Sequence, residues 1–343
     1  MYYWSNRGPE IHVLDGSTKP VRDEILSSLG PNIHYHHWPI SMIGRISKVR
    51  EVLTTPYTTL MGDDEFYLPS GLKDSIEVLE TEQDWVSVMG RCITFNPIGD
   101  NIYSSKGYEK QANRRIDQES PVERMLFHFS DYTPSTIYSV VRTEVWKQAW
   151  EATARKEFSM LGQIELQFEQ SVCFLGKSIV IPSLVWLRSQ ENSSVESPDK
   201  SLQIKTGIHL SEWWIKPEHK EEREEFLDIF ESALSTDVTT RFRESLSKAI
   251  TVYSKKCIND KENQRLIQQK DSLRNLLLQI RLQVTQKIPI KIKIYIKQLP
   301  FIPKRGVQKM DEVLNSFERS GISVHWEEIE DVKKTILAFH REI

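Results

Sequence analysis

Over residues 10–89, short runs that suit a strand alternate with runs that suit a helix. Residues 10–14 (EIHVL) are apolar and extended, and they end in Asp15-Gly16-Ser17, a turn signature. Residues 21–29 read as a helix stopped by Gly30-Pro31, and residues 32–35 as a second short strand. Ile43, Ile46, Val49 and Leu53 then recur at helical spacing. Residues 57–61 (YTTLM) favour a strand that runs straight into Gly62-Asp63-Asp64-Glu65. Ser70 is the predicted N-cap of a helix carrying Leu72, Ile76 and Leu79, and residues 85–89 (WVSVM) form the next strand. Strand and helix in this order predict βαβ units, and so an α/β fold with a mostly parallel sheet flanked by helices.

Downstream, residues 97–120 are polar and turn-rich and predict a long loop. Helical pattern returns over residues 134–156 and 163–175. Residues 179–187 are apolar and extended, with Pro182 pointing to the edge or end of a sheet. The polar stretch 189–200 marks a boundary between an α/β domain at residues 1–205 and a mainly helical region at 206–343. In that region residues 217–234, 238–253 and 259–284 read as amphipathic helices, the last with a stripe of Leu266, Leu273, Leu276, Leu277 and Ile280. Residues 288–296 alternate as a strand would, and two short helices around a strand at 322–326 close the chain.

Composition narrows the function. The 45 Lys and Arg against 48 Asp and Glu give a net charge of -3, which argues against a dedicated nucleic-acid binder. Cys92, Cys173 and Cys257 lack any ligand spacing and read as free thiols of a reducing cytosol. No window is apolar enough to span a membrane and the N-terminus lacks the shape of a signal peptide, so the expectation is a soluble, cytoplasmic protein whose membrane contact would be peripheral.

Asp63, Asp64 and Glu65 carry the most chemistry. In open α/β sheets ligands bind at the carboxyl ends of strands, where this acidic run and Asp15 both fall. A divalent cation held by one or two such carboxylates neutralises a departing diphosphate. Alone, an acidic triplet is more often a solvated turn; its place after a strand, with Asp15 on another strand end, favours a site.

With these residues in view, the segment from Asp15 to Asn96 resembles the core of family 2-type glycosyltransferases of the GT-A fold, and more closely a related bacterial glycosyltransferase-domain family. The Leu14-Asp15-Gly16-Ser17 turn resembles the one that meets the nucleoside. Residues 57–66 (YTTLMGDDEF) resemble the strand and DxD-type motif, and residues 85–90 (WVSVMG) the strand that ends near the acceptor sugar. The resemblance implies a GT-A-like fold, a nucleotide-sugar donor, Mn or Mg as cofactor, and inverting transfer to a glycan, lipid-linked or other hydroxyl acceptor. It also implies a general base on a helix about eleven residues before a terminating glycine; Gly176 ends the helix here and Glu165 takes that position, with Glu169 a competitor one turn on. The triplet is Asp-Asp-Glu rather than a plain Asp-x-Asp, which leaves the metal ligand open among the three; Asp64 is the first choice, with Glu65 or Asp63 assisting, and the family implies bacterial surface polysaccharide assembly as the setting. Family members place an apolar strand and a helix before the Asp15 strand; without them a sheet edge and part of the nucleobase pocket would be open.

Arg45 and Lys48, on the helix before the acidic run, could reach the diphosphate, and an exposed helix face explains them equally well. His34 and His36 share a strand face that His37 does not; with no further ligand nearby in sequence, a loop or acceptor-cleft role is the reading. By the same resemblance, Arg142 falls where the family often forms the acceptor side. Trp213-Trp214 could stack on sugars and the Ile/Lys run 287–297 could rest on anionic lipid, but a packed core and a half-buried strand account for them better. Two other classes stay open: a metal-dependent nucleotidyltransferase, and a non-catalytic binding module derived from a glycosyltransferase.

Overall fold

The computed structural model describes residues 1–133, 135–156, 158, 162–191, 210–234, 240–270 and 308–342. In chain order its elements are β1 (Ile11–Asp15), α1 (Asp23–Ser27), β2 (Ile33–His37), α2 (Met42–Val49), β3 (Tyr57–Thr58), β4 (Phe66–Tyr67), α3 (Pro69–Thr81), β5 (Trp85–Ile98), β6 (Asn101–Gly107) and β7 (Arg115–Ile116). There follow α4 (Pro121–Ser130), β8 (Val140–Arg142), α5 (Thr143–Ala154), α6 (Gly162–Leu175), β9 (Lys177–Ser189), α7 (Leu210–Ile215), α8 (Lys220–Leu234), α9 (Thr240–Lys270), β10 (Gln308–Lys309), α10 (Met310–Arg319) and α11 (Trp326–Glu342).

The fold is α/β, a mixed sheet with helices packed around it, as the sequence predicts. The strand directions differ from the mostly parallel expectation. Among the described residues β1–β2 and β5–β9 pair in parallel, and the remaining pairs of the eight-stranded sheet are antiparallel. One reason is the segment 97–120, read as a loop. The strand that starts at Trp85 continues to Ile98, turns at Gly99 (φ 56°), and returns as β6 in a hairpin with Ile98 opposite Asn101. The large sheet runs β10-β6-β5-β8-β3, with β9 on β5 and carrying β4 and β7; β1 and β2 form a separate two-stranded sheet.

Pro182 is not at an edge. It falls on β9 where the register with β5 shifts, between the pairs Val180–Met89 and Leu184–Arg91. On the other side it lies between the residues that pair with β7 and those that pair with β4. An irregular stretch tolerates a residue without an N–H, and the Pro182 carbonyl accepts from Ser323 N–H.

Helix α3 begins two residues earlier than its sequence signal suggests. Leu68 is the N-cap and Pro69 occupies the first turn, so Ser70 is already helical. Its backbone N–H and hydroxyl both donate to Glu328 of α11, at 3.0 and 2.6 Å, which puts a carboxylate at the helix N-terminus.

The elements beyond residue 206 divide between cores. Met310, Leu314, Phe317 and Ile329 join β5 and β9 residues around Trp186 and Leu187. Trp213, Trp214, Phe226 and Ile250 instead close over Met125, Phe129 and Leu166. Both tryptophans are buried, with their indole N–H groups donating to Glu222 and Thr251, so they belong to a packed core. A third core gathers Ile43, Ile46, Val49, Val86, Trp150 and Phe168. The Ile/Lys run 287–297 and the stripe from Leu273 to Ile280 lie outside the described residues. Cys92, Cys173 and Cys257 are free thiols, and among the described residues no helix is long and apolar enough to cross a membrane.

Candidate active site

The acidic turn is fixed from beneath. The Tyr67 hydroxyl, fully enclosed, lies 2.9 Å from the Leu60 carbonyl oxygen and 2.6 Å from that of Tyr138, so it ties the chain before the turn to the chain before β8. Asp63 is exposed and Asp64 half-buried. Glu65 turns inward, its side chain 9% exposed, and accepts from the indole N–H of Trp186 at 2.9 Å while its other oxygen stands 3.7 Å from Arg188 Nε. Burial pushes its carboxyl up to about 7, against the pull of Trp186 and Arg188 and with the negative charge of Asp64 adding to the rise.

Glu165 projects from the first turn of α6 and is half-buried rather than solvent-facing. Burial, reinforced by the charge of Glu169, pushes it up to about 7, and Arg188 opposes the shift. One guanidinium thus acts on both carboxylates. Glu169 does a different job. It is fully buried, one oxygen accepting from the N–H groups of Ser135 and Ile137 at 2.6 and 3.3 Å and the other lying 2.9 Å from His128 Nε2. Its lone pairs are spent on structure, and the 3₁₀ turn Thr136–Tyr138 that it anchors delivers Tyr138 to the site. Helix α6 ends at Leu175, and the residue that follows is glycine because a side chain there would meet Val86 Cγ1 at 2.3 Å.

Arg188, Trp186, Tyr108 and Tyr138 complete this cluster, and sequence reasoning missed all but the position of the strand that carries two of them. Tyr138 and Tyr108 stack on Trp186 with ring centroids 4.5 and 5.4 Å away, and Arg188 Nη1 donates to the Tyr108 hydroxyl at 2.8 Å. Burial raises the Tyr138 phenol to about 12. The available signal was alternation: Trp186 and Arg188 are two apart on β9 and so share a face.

Asp15 ends β1. Burial works against its charge, but hydrogen bonds from the Tyr35 hydroxyl and from Ser17 (N–H to Oδ1, 2.8 Å) hold it below the usual carboxylate range. The Arg45 guanidinium covers Gly16 so closely that a Cβ there would fall 1.5 Å from Nη1. Asp15, Gly16 and Arg45 therefore form one surface, and the Asp15 charge acts on Arg45. Lys48 is placed otherwise, its ammonium 5.3 Å from the centre of the Trp38 ring. Leu14 and Leu60, the residues leading into the two acidic turns, pack against the same core. Arg142 has a structural role, donating to the carbonyls of Trp85 and Leu79.

Among the described residues the acidic turn is not a preassembled set of three ligands; the group that comes together is Glu10, His12 and His34. His37 is on the other face, its Nε2 2.8 Å from the Ser17 carbonyl.

No protein-family model and no curated protein matches the sequence. Among solved structures, the crystal structure of S. aureus TarS residues 1–349 is similar at a TM-score of 0.41 and 12% identity, covering 74% of this chain and 82% of that one. Similarity at that level assigns no activity.

Proposed function

We propose that the chain is a glycosyltransferase that moves a sugar from a nucleotide-diphosphate donor to a hydroxyl acceptor with inversion. The observation that carries this reading is the pair Glu165 and Glu65, both raised to about 7 and sharing the cation Arg188, beside the Asp63–Asp64 turn. A carboxylate poised near neutrality suits a general base, because it is ionised often enough to accept a proton and basic enough to take one. Glu165 removes the proton from the acceptor hydroxyl as that oxygen attacks the anomeric carbon and the nucleotide diphosphate leaves. Arg188 holds the charge that develops on Glu65 and Glu165, and Tyr108 and Tyr138 supply flat apolar faces beside them.

Asp15 and Arg45 bind the nucleoside diphosphate, with Lys48 on the same helix as a further cation. The acidic turn fits a hard divalent cation: it offers carboxylate oxygens on an exposed and a half-buried residue, and Mg or Mn takes one or two protein carboxylates and completes its shell with phosphate and water. Asp64 would hold the metal, with Asp63 and Glu65 assisting, and when bound the metal neutralises the leaving diphosphate. In this reading the residues that carry the chemistry lie within 1–205, and the enzyme works at the cytoplasmic face in bacterial surface polysaccharide assembly.

The test is a thermal-shift screen of nucleotide sugars with and without Mn(II), on the intact chain and on Asp64→Ala. A stabilisation that needs one nucleotide sugar plus metal, and disappears in the variant, is expected. A folded chain that no nucleotide sugar stabilises overturns the reading in favour of a binding module. Release of pyrophosphate from a nucleotide without sugar transfer would indicate a nucleotidyltransferase.

A further inference from the structure

The β1–β2 pair carries a second set of ligating side chains that the proposed transfer does not use. His12 and His34 are direct cross-strand partners, and His36 pairs with Leu14 two residues on. Residues two apart on a strand share a face, so this register lines the imidazoles up. The His12 ring lies 4.9 Å from that of His34 and 5.3 Å from that of His36, the latter two planes 3° apart. Glu10 stands two residues before His12, and one ligand atom from each of Glu10, His12 and His34 lies within 4.8 Å of the others. His12 Nδ1 is 3.0 Å from His36 Nε2, which holds the His12 ring by one nitrogen and leaves its second for another partner.

We propose that Glu10, His12 and His34 form a site for a divalent transition metal of the zinc class, with His36 as the outer partner that orients His12. Two imidazoles and a carboxylate suit Zn, Co or Ni, whereas Mg and Ca prefer oxygen alone. Tetrahedral bonds of about 2.0–2.1 Å put ligand atoms roughly 3.3 Å apart, a contraction within reach of side-chain rotation on two hydrogen-bonded strands. A ring nitrogen fixed by an outer hydrogen bond is the usual support for a ligating histidine. Glu10 is exposed and the two histidines half-buried, so an ion has an entry path and the remaining coordination position is open to water. This site is separate from the oxygen-donor turn at Asp63–Asp64, and the proposal does not depend on the transferase reading.

The experiment is titration of the intact chain with Co(II), read by visible d–d absorption, followed by displacement with Zn(II). Saturable absorption of low-coordinate cobalt, reversed by Zn(II), is expected. His34→Gln should remove it, Glu10→Gln should weaken binding roughly tenfold or more, and His36→Gln should weaken it by about ten- to a hundredfold. Asp64→Ala should leave it unchanged. Glu10 is exposed, so its variant tests the site without threatening the fold, and far-UV circular dichroism checks the others. Absence of the cobalt spectrum in the folded chain, or binding that Glu10→Gln and His34→Gln leave intact, overturns the proposal.

Discussion

The indole N–H of Trp186 donates a 2.9 Å hydrogen bond to Oε2 of Glu65. It draws the last carboxylate of the acidic run away from solvent and onto β9, so that Asp63 stays exposed and Asp64 half-buried while Glu65 joins the charge network of Arg188 and Glu165. One turn thereby serves two surroundings, a wet one suited to a cation and a dry one suited to proton transfer.

The first consequence concerns pH. Glu65 and Glu165 are raised to about 7 in the fold, above the ordinary value of 4.5 that they regain on unfolding. The native state therefore holds more protons than the unfolded chain between pH 4.5 and about 7, so stability should fall as pH rises through that window and level off above it. Urea melts from pH 4.5 to 8 should show this decline, and Glu65→Gln/Glu165→Gln should flatten it by on the order of 1–3 kcal/mol at pH 8. Activity should move oppositely, with kcat rising through about pH 7 as Glu165 ionises.

Glu165 and Glu169 should separate cleanly by mutation. Glu165→Gln should lower kcat by roughly 10²–10⁴ with stability at pH 8 unchanged or improved. Glu169→Ala strands two backbone N–H groups and a buried histidine, and should cost about 3 kcal/mol or more by urea denaturation. Equal stability losses in the two variants would contradict the division of roles.

Gly176→Ala should cost about 1–3 kcal/mol, because the added methyl meets Val86 at 2.3 Å. Combining it with Val86→Ala should recover part of the loss, so that a double-mutant cycle shows coupling. Additive losses would place the origin of the cost elsewhere.

At Gly16 the neighbour is the mobile end of Arg45. Gly16→Ala should therefore leave the melting temperature nearly unchanged while displacing the guanidinium and weakening nucleotide-sugar binding by about tenfold, as loss of one charged hydrogen bond would. Isothermal titration measures this directly, and Arg45→Ala should show a similar loss.

Much of the first half was legible because periodicity reports burial. Ile43, Ile46 and Val49, read with Leu53 as one helical stripe, are buried on α2, and Leu53 is buried too but beyond the end of that helix. The α/β class followed from the same reading. Strand direction did not, because pairing is decided between segments distant in sequence: nothing local reveals that Trp85 begins a strand reaching Ile98, or that β9 lies parallel to it. For the same reason Glu165 and Glu169 look alike in sequence, one helical turn apart. Only the chain folded against them makes one a structural anchor and leaves the other with a perturbed proton. The Glu10–His12–His34 group was hidden because its two histidines come from different strands, with Glu10 just ahead of the first, and the register had to be known first.

The separate β1–β2 sheet bears on cooperativity. Among the described residues its five-residue strands share no ladder with the eight-stranded sheet, and side-chain packing through Ile11, Ile33, Leu14 and Trp38 joins them to the body. Such a unit can open without breaking the main sheet, so its amide hydrogens should exchange through a subglobal event of low free energy while those of β5 wait for global unfolding. The rim that carries Asp15 is then less protected than the main sheet of the described fold, and a bound nucleotide or metal would slow its exchange.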